Sequence, residues 1–98
     1  MFQVETTEEF DLWFDGIKDK LSRKRLGLRL RKAELGNLGD VKPVGEGVFE
    51  MREFFGPGWR MYYLQRGAVL IVMLGGGDKS SQDKDIANAL QVARLFKE

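Results

Sequence analysis

The longest apolar run in the chain, Ala68 to Leu74 (AVLIVML), restricts its fold more than any other segment. Gly67 precedes it and Gly75-Gly76-Gly77 follows it. Within it, Val69 to Leu74 reads as a central strand buried on both faces. The run is far too short to cross a bilayer as a helix. The whole chain has 98 residues, which fits one domain over 1–98 and leaves no room for a second. Its 43% hydrophobic and 11% aromatic content supports a small core and argues against disorder.

The remaining elements follow from periodicity. Phe2 to Glu5 alternates in polarity and reads as an edge strand. Thr6 with Glu9 resembles a capping box. Phe10, Trp13, Phe14, Ile17 and Leu21 then recur at helical spacing, so a helix is expected over about residues 7 to 20. Ser22 can cap a second helix that ends at Gly36. This helix carries one stripe of Leu26, Leu30 and Ala33 and another of Leu21, Leu28 and Leu35, as in helices sandwiched between two partners. Residues 36 to 47 hold four glycines and a proline and read as a loop. Val48 to Phe54 and Trp59 to Leu64 read as strands joined by the Phe55-Gly56-Pro57-Gly58 turn. Gln65-Arg66-Gly67 turns into the apolar strand, which Gly75-Gly76-Gly77-Asp78 breaks. Ser80 or Ser81 can cap a last helix whose apolar face is Ile86, Ala89, Leu90, Ala93 and Phe96. The expected fold is α+β in the order β-α-α-β-β-β-α, a helical hairpin packed on a small antiparallel meander with a C-terminal helix.

Several chemistries are excluded by composition. The chain has no cysteine, hence neither a disulfide framework nor a thiolate metal site. It has no histidine, which removes the commonest general base and metal ligand. The N-terminal MFQVETTEEF is acidic and lacks the basic segment and apolar core of a signal peptide. A cytoplasmic location is expected, and no membrane partner.

The net charge of +1 conceals an asymmetry. Residues 1 to 19 carry six acids and one base. Residues 20 to 32 carry seven bases and no acid: Lys20, Arg23, Lys24, Arg25, Arg29, Arg31 and Lys32. Such a block is either a solvated helix face or a phosphate-binding stripe, because grouped Lys and Arg give affinity for polyanions.

The hairpin around Gly56 allows two registers. In one, Arg52 faces Arg60 and Glu50 faces Tyr62 on a single sheet face. Like charges placed opposite each other cost stability, unless an anion binds between them. In the other register, Glu53 faces Arg60 as an ordinary cross-strand pair. The GGGDK segment (75–79) has neither the GxxxxGK[ST] nor the GxGxxG spacing of a nucleotide loop. It reads as a tight turn, or as a clearing beside the sheet into which Lys79 projects. Lys84 reads first as a solvated helix residue.

Three segments together carry a family likeness: RLRKAELGNLGDVKPVGEGVFEMR (29–52), FGPGWRMYY (55–63) and LGGGDKSSQDKDIANA (74–89). In that order and spacing they resemble the RelE/ParE toxin superfamily, most closely its HigB-like addiction-module killer proteins. The resemblance implies the toxin of a type II toxin–antitoxin system. Its activity would be that of a ribosome-dependent endoribonuclease, which cuts mRNA with no metal and no cofactor and so inhibits translation. A ribose 2′-OH attacks the adjacent phosphate, which requires a base, cations for the developing charge, and an acid for the leaving oxygen. By the resemblance Arg52, Arg60 and Lys79 are the cations. Relatives often use a tyrosine or histidine near the C-terminal end, where this chain has Lys84 and Asp85. Lys84 and Glu50 are therefore the expected bases.

RNA or ribosome contact is expected at Arg23, Lys24, Arg25, Arg29, Arg31 and Lys32. The implied partners are the ribosome with its mRNA and an antitoxin of helix-turn-helix type, through which alone operator DNA would be bound. A different class of function is a ParE-like DNA gyrase inhibitor without nuclease activity. A third is a nucleic-acid-binding module without chemistry, which leaves the paired arginines unexplained.

Overall fold

In the computed structural model, which describes residues 1–96, three layers are stacked: two helices, a sheet and a third helix. The elements are β1 (Gln3–Thr6), α1 (Glu8–Asp15), α2 (Lys20–Glu34), β2 (Val41–Gly45), β3 (Val48–Arg52), β4 (Arg60–Arg66), β5 (Leu70–Gly77), a 3-10 turn (Lys79–Ser81) and α3 (Gln82–Arg94). The sheet order is β1-β5-β4-β3-β2. The α+β class holds, but the sheet is mixed, because β1 runs parallel to β5 and the other pairs are antiparallel. Among the described residues no helix is long and apolar enough to cross a membrane.

The sheet buries a different cluster on each face, which is why a strand apolar at every position sits inside it. Toward α1 and α2 lie Phe10, Leu26, Ala33, Met51, Met61, Tyr63, Ile71 and Met73. Toward α3 lie Val48, Tyr62, Val72, Leu74, Ala89 and Ala93. Successive strand residues point to opposite faces, so Ile71 and Met73 serve one layer and Val72 and Leu74 the other.

Five local expectations are corrected. The cap of α1 is Thr7, not Thr6, since Thr6 is taken into β1 opposite Met73. Thr7 Oγ1 accepts from Phe10 N (3.1 Å) and donates to Met73 O (3.0 Å), fastening the helix start to the central strand. The first helix stops at Asp15 because a second cap follows at once: Asp19 accepts from Leu21 N, and Ser22 donates to it at 2.6 Å. Residues 41–45, read as loop, form β2. Pro43 hid this strand, yet a residue without an N–H is tolerated at a sheet edge. The apolar strand runs on through its glycines to Gly77. Finally, α2 is not sandwiched. Leu26 and Ala33 are buried, whereas Leu21, Leu28 and Leu35 are 65%, 53% and 65% exposed.

Candidate functional site

On the face of the sheet that α3 covers, β3 contributes Glu50 and Arg52, and β4 contributes Arg60 and Tyr62. The pairing is Arg52 with Arg60 and Glu50 with Tyr62, the first of the two registers. The Glu53 carboxylate is therefore not paired with Arg60 and forms its ion pair with Arg29 of α2. A one-residue bulge in β5 opposite Tyr62/Tyr63 then brings Gly75 against Tyr62 and Gly77 against Arg60.

The two opposed arginines diverge. Arg52, one-third exposed, turns sideways to Asp40 (3.2 Å), with its guanidinium 5.9 Å from the Phe54 ring. Arg60 is 6% exposed and turns inward. Its Nη1 sits among the carbonyl oxygens of Glu53, Gly58 and Trp59 at 3.0–3.1 Å, clamping the hairpin loop. Its Nε forms an ion pair with Glu50 Oε1 at 3.8 Å, beyond hydrogen-bond reach, and neither atom has a hydrogen-bond partner among the described residues.

Glu50, expected as a base, is only 1% exposed. Its Oε2 accepts from Tyr62 Oη (3.1 Å) and Gln82 Nε2 (2.8 Å), so the carboxylate is enclosed by β4 and the start of α3. That placement makes it a support for Arg60 rather than a group that meets substrate. Gln82 escaped sequence reading because nothing in its spacing marks it as facing β3.

Burial pushes the Tyr62 phenol well above its ordinary value of 10.0, and the neighbouring Glu50 and Asp85 charges and the Glu50 hydrogen bond push it further. Burial also raises Tyr63, against a lowering by Arg29. These are the only two tyrosines. A phenol raised on folding contributes stability below its unfolded pKa of about 10, and that stability is lost as pH rises past it. Alkaline titration of the folded protein should show no phenolate absorbance until the fold melts, with both signals rising together. A separate phenolate step near pH 10 with the circular dichroism unchanged would refute this burial.

Lys79 is exposed at the first position of the 3-10 turn, where its N–H reaches Pro57 O (3.4 Å). Lys79 Cβ and Arg60 Nη1 lie 3.3 and 3.6 Å from the point where a Cβ on Gly58 would stand. The structure thus places Lys79 and Arg60 against one hairpin glycine, with φ +79°. Lys84 is exposed on α3 and has no described contact with this cluster. Asp85 accepts from Ser81 Oγ and lies flat against Gly77, where a Cβ would fall inside its carboxylate. It also borders a groove of about 420 Å³ with Trp13, Gly75 and Asn88. The groove lies along the part of β5 beyond β1, which pairs only with Leu70–Met73. Among the described residues no cluster of three or more Asp and Glu side chains could hold a metal ion.

The basic block of α2 divides. Lys24, Arg31 and Lys32 are exposed, and Arg25 lies over the Phe55 ring at 3.8 Å. Arg23 is half-buried and donates to Ile17 O (3.1 Å). Arg29 leaves the stripe altogether. Its guanidinium bonds Leu38 O, Asp40 O, Arg52 O and Glu53, tying α2 to the loop before β2 and to the end of β3.

No family model matches the chain. An uncharacterized protein of Haemophilus influenzae is 40% identical over 92 residues, which span 94% of this chain and 93% of that protein. The chain belongs to the same family as that protein. Its fold is also similar to the solution structure of the conserved hypothetical protein HP0894 from Helicobacter pylori. That likeness covers 82% of this chain and 97% of the other at TM-score 0.55 and 21% identity.

Proposed function

We propose that this protein is the toxin of a toxin–antitoxin pair, a metal-independent endoribonuclease acting on ribosome-bound mRNA in the cytoplasm. The observation that carries the reading is the Arg52–Arg60 pairing with Lys79 packed on the same hairpin. The paired positions put two cations on one sheet face, but their guanidinium groups diverge, Arg52 to Asp40 and Arg60 to the hairpin carbonyls and Glu50. A phosphate would therefore be met by Arg52 and Lys79. Arg52 and Lys79 are the cations a substrate reaches. Arg60 lies beneath them and holds the loop that presents them. The α+β class, with a five-stranded sheet between helices, supports the reading at the level of fold class alone.

In this reaction a ribose 2′-oxygen bonds to the adjacent phosphorus and the bond to the 5′-oxygen breaks. The strands left behind carry a 2′,3′-cyclic phosphate and a 5′-hydroxyl. Arg52 and Lys79 stabilise the added negative charge on the phosphate. Of the two expected bases, only Lys84 is open to solvent, since Glu50 is enclosed. Lys24, Arg25, Arg31 and Lys32 offer a surface to ribosomal RNA. An antitoxin of helix-turn-helix type would restrain the protein and carry any operator binding.

The test is cleavage of mRNA on purified ribosomes. Lys79→Ala and Arg52→Ala should each slow cleavage on the order of a hundredfold. Lys79→Ala should leave the melting temperature unchanged, because its side chain is exposed. Arg52→Ala should lower it only slightly, because its pair with Asp40 is partly exposed. Wild-type protein that leaves no 5′-hydroxyl ends, or cleavage indifferent to both variants, would discard the reading. The exposed helical surface favours one alternative, a gyrase inhibitor acting by contact alone, which loss of DNA supercoiling activity would reveal.

A further inference from the structure

A seam along α2 is left open by the fold. Leu21, Arg25, Leu28, Lys32 and Leu35 follow one another at spacings of four, three, four and three residues. That is the spacing of the two inward positions of a coiled-coil heptad, with leucine at one and a cation at the other. The opposite face of the helix, with Leu26 and Ala33, is what the core uses. The three leucines remain 65%, 53% and 65% exposed. On one side the seam borders a groove of about 160 Å³ lined by Arg25, Leu28, Arg29, Lys32, Glu53 and Phe55. The surface is thus concave beside Leu28, and the Phe55 ring is already covered by Arg25.

We infer that this seam docks an amphipathic helix of a partner protein, one whose leucines meet Leu21, Leu28 and Leu35 and whose carboxylates meet Arg25 and Lys32. Charge selects the partner. Lys24 and Arg31 flank the same leucines, so a facing helix with lysines is repelled and one with glutamates is attracted. Two copies of α2 laid together would set Arg25 and Lys32 against their own kind. The acidic helix α1 of a second copy is too small to serve. Its eight residues extend about 12 Å, against about 21 Å from Leu21 to Leu35. It also offers a single exposed leucine, Leu12. The seam lies outside the arginine cluster, so the inference holds whichever chemistry that cluster performs, and the docked helix would cover the cations that otherwise face ribosomal RNA.

The test uses the full chain and two synthetic three-heptad helices with leucine at both inward positions. One carries glutamate at the flanking positions and the other lysine. The glutamate peptide should bind at least tenfold more tightly, lose affinity in salt, and perturb the amides of residues 20–35 in NMR spectra. Leu28→Ser should weaken it about tenfold or more, as loss of one buried leucine implies. Lys32→Glu, which keeps every leucine, should weaken the glutamate peptide and improve the lysine one. Failure of the glutamate peptide to bind, or equal binding of both, would overturn the inference. So would amide changes that spare α2, or self-association abolished by Leu28→Ser.

Discussion

Arg60→Ala should melt far below the wild type, before any question of catalysis arises. The guanidinium faces Glu50 across 3.8 Å, with side-chain exposures of 8% and 1%. Removing one member of a buried ion pair leaves the other charged and unpaired, at a cost of about 3–5 kcal/mol. The carbonyls of Glu53, Gly58 and Trp59 lose their donor as well, which frees the hairpin loop. For a domain of this size the melting temperature should fall by roughly 15 °C or more. Adding Glu50→Gln should recover part of the loss, since a neutral amide is less costly to bury than a lone carboxylate. A variant within about 1 kcal/mol of wild type by chemical denaturation would show that the pair is not structural. Loss of growth arrest in Arg60→Ala is therefore no evidence of catalysis, and the exposed Lys79 is the cleaner probe.

The second large effect is expected at Gly77. A Cβ there would overlap the Asp85 carboxylate, so Gly77→Ala must displace the Asp85 side chain and break its hydrogen bond from Ser81. Overpacking of this kind costs about 1–3 kcal/mol, and the atoms that must move belong to the Asp85 and Ser81 side chains. Asp85→Ala should relieve the clash, giving a coupling of about 1 kcal/mol or more in a double-mutant cycle. The neighbouring glycines sharpen the test. At Gly76 a Cβ would lie 2.5 Å from the Trp13 ring on the opposite face, so the same relief should fail there. At Gly75 nothing lies within 4 Å. Gly75→Ala should be neutral or stabilising by up to about 1 kcal/mol, because it restricts the unfolded chain without a clash. Three alanines with equal effects, or additive Gly77 and Asp85 effects, would contradict the packing described.

These three glycines show how far pattern reading reaches. Read as a chain break, they form the end of the central strand, and each is small for a separate reason. Gly76 admits Trp13 from α1, Gly77 admits Asp85 from α3, and Gly75 floors the groove between them. A sequence registers only that a side chain is missing. What fills the space comes from residues far away along the chain.

The sequence by itself determined what local chemistry and periodicity encode. The apolar run became a strand buried on both faces, and α2 and α3 lie close to their expected bounds. The hairpin at Gly56 narrowed its register to two choices, and the absence of histidine and cysteine set the available chemistry. The tertiary structure decided what depends on long-range neighbours. It chose the register, because Glu53 finds Arg29 on a helix 24 positions away and so leaves Arg60 to Glu50. It made β2 a strand despite Pro43, since only the edge of a completed sheet tolerates a missing N–H. It placed β1 parallel beside β5 and took Arg29 out of the basic stripe. It also left the second leucine stripe of α2 open, because burial belongs to the packed layers and not to the periodicity of one helix.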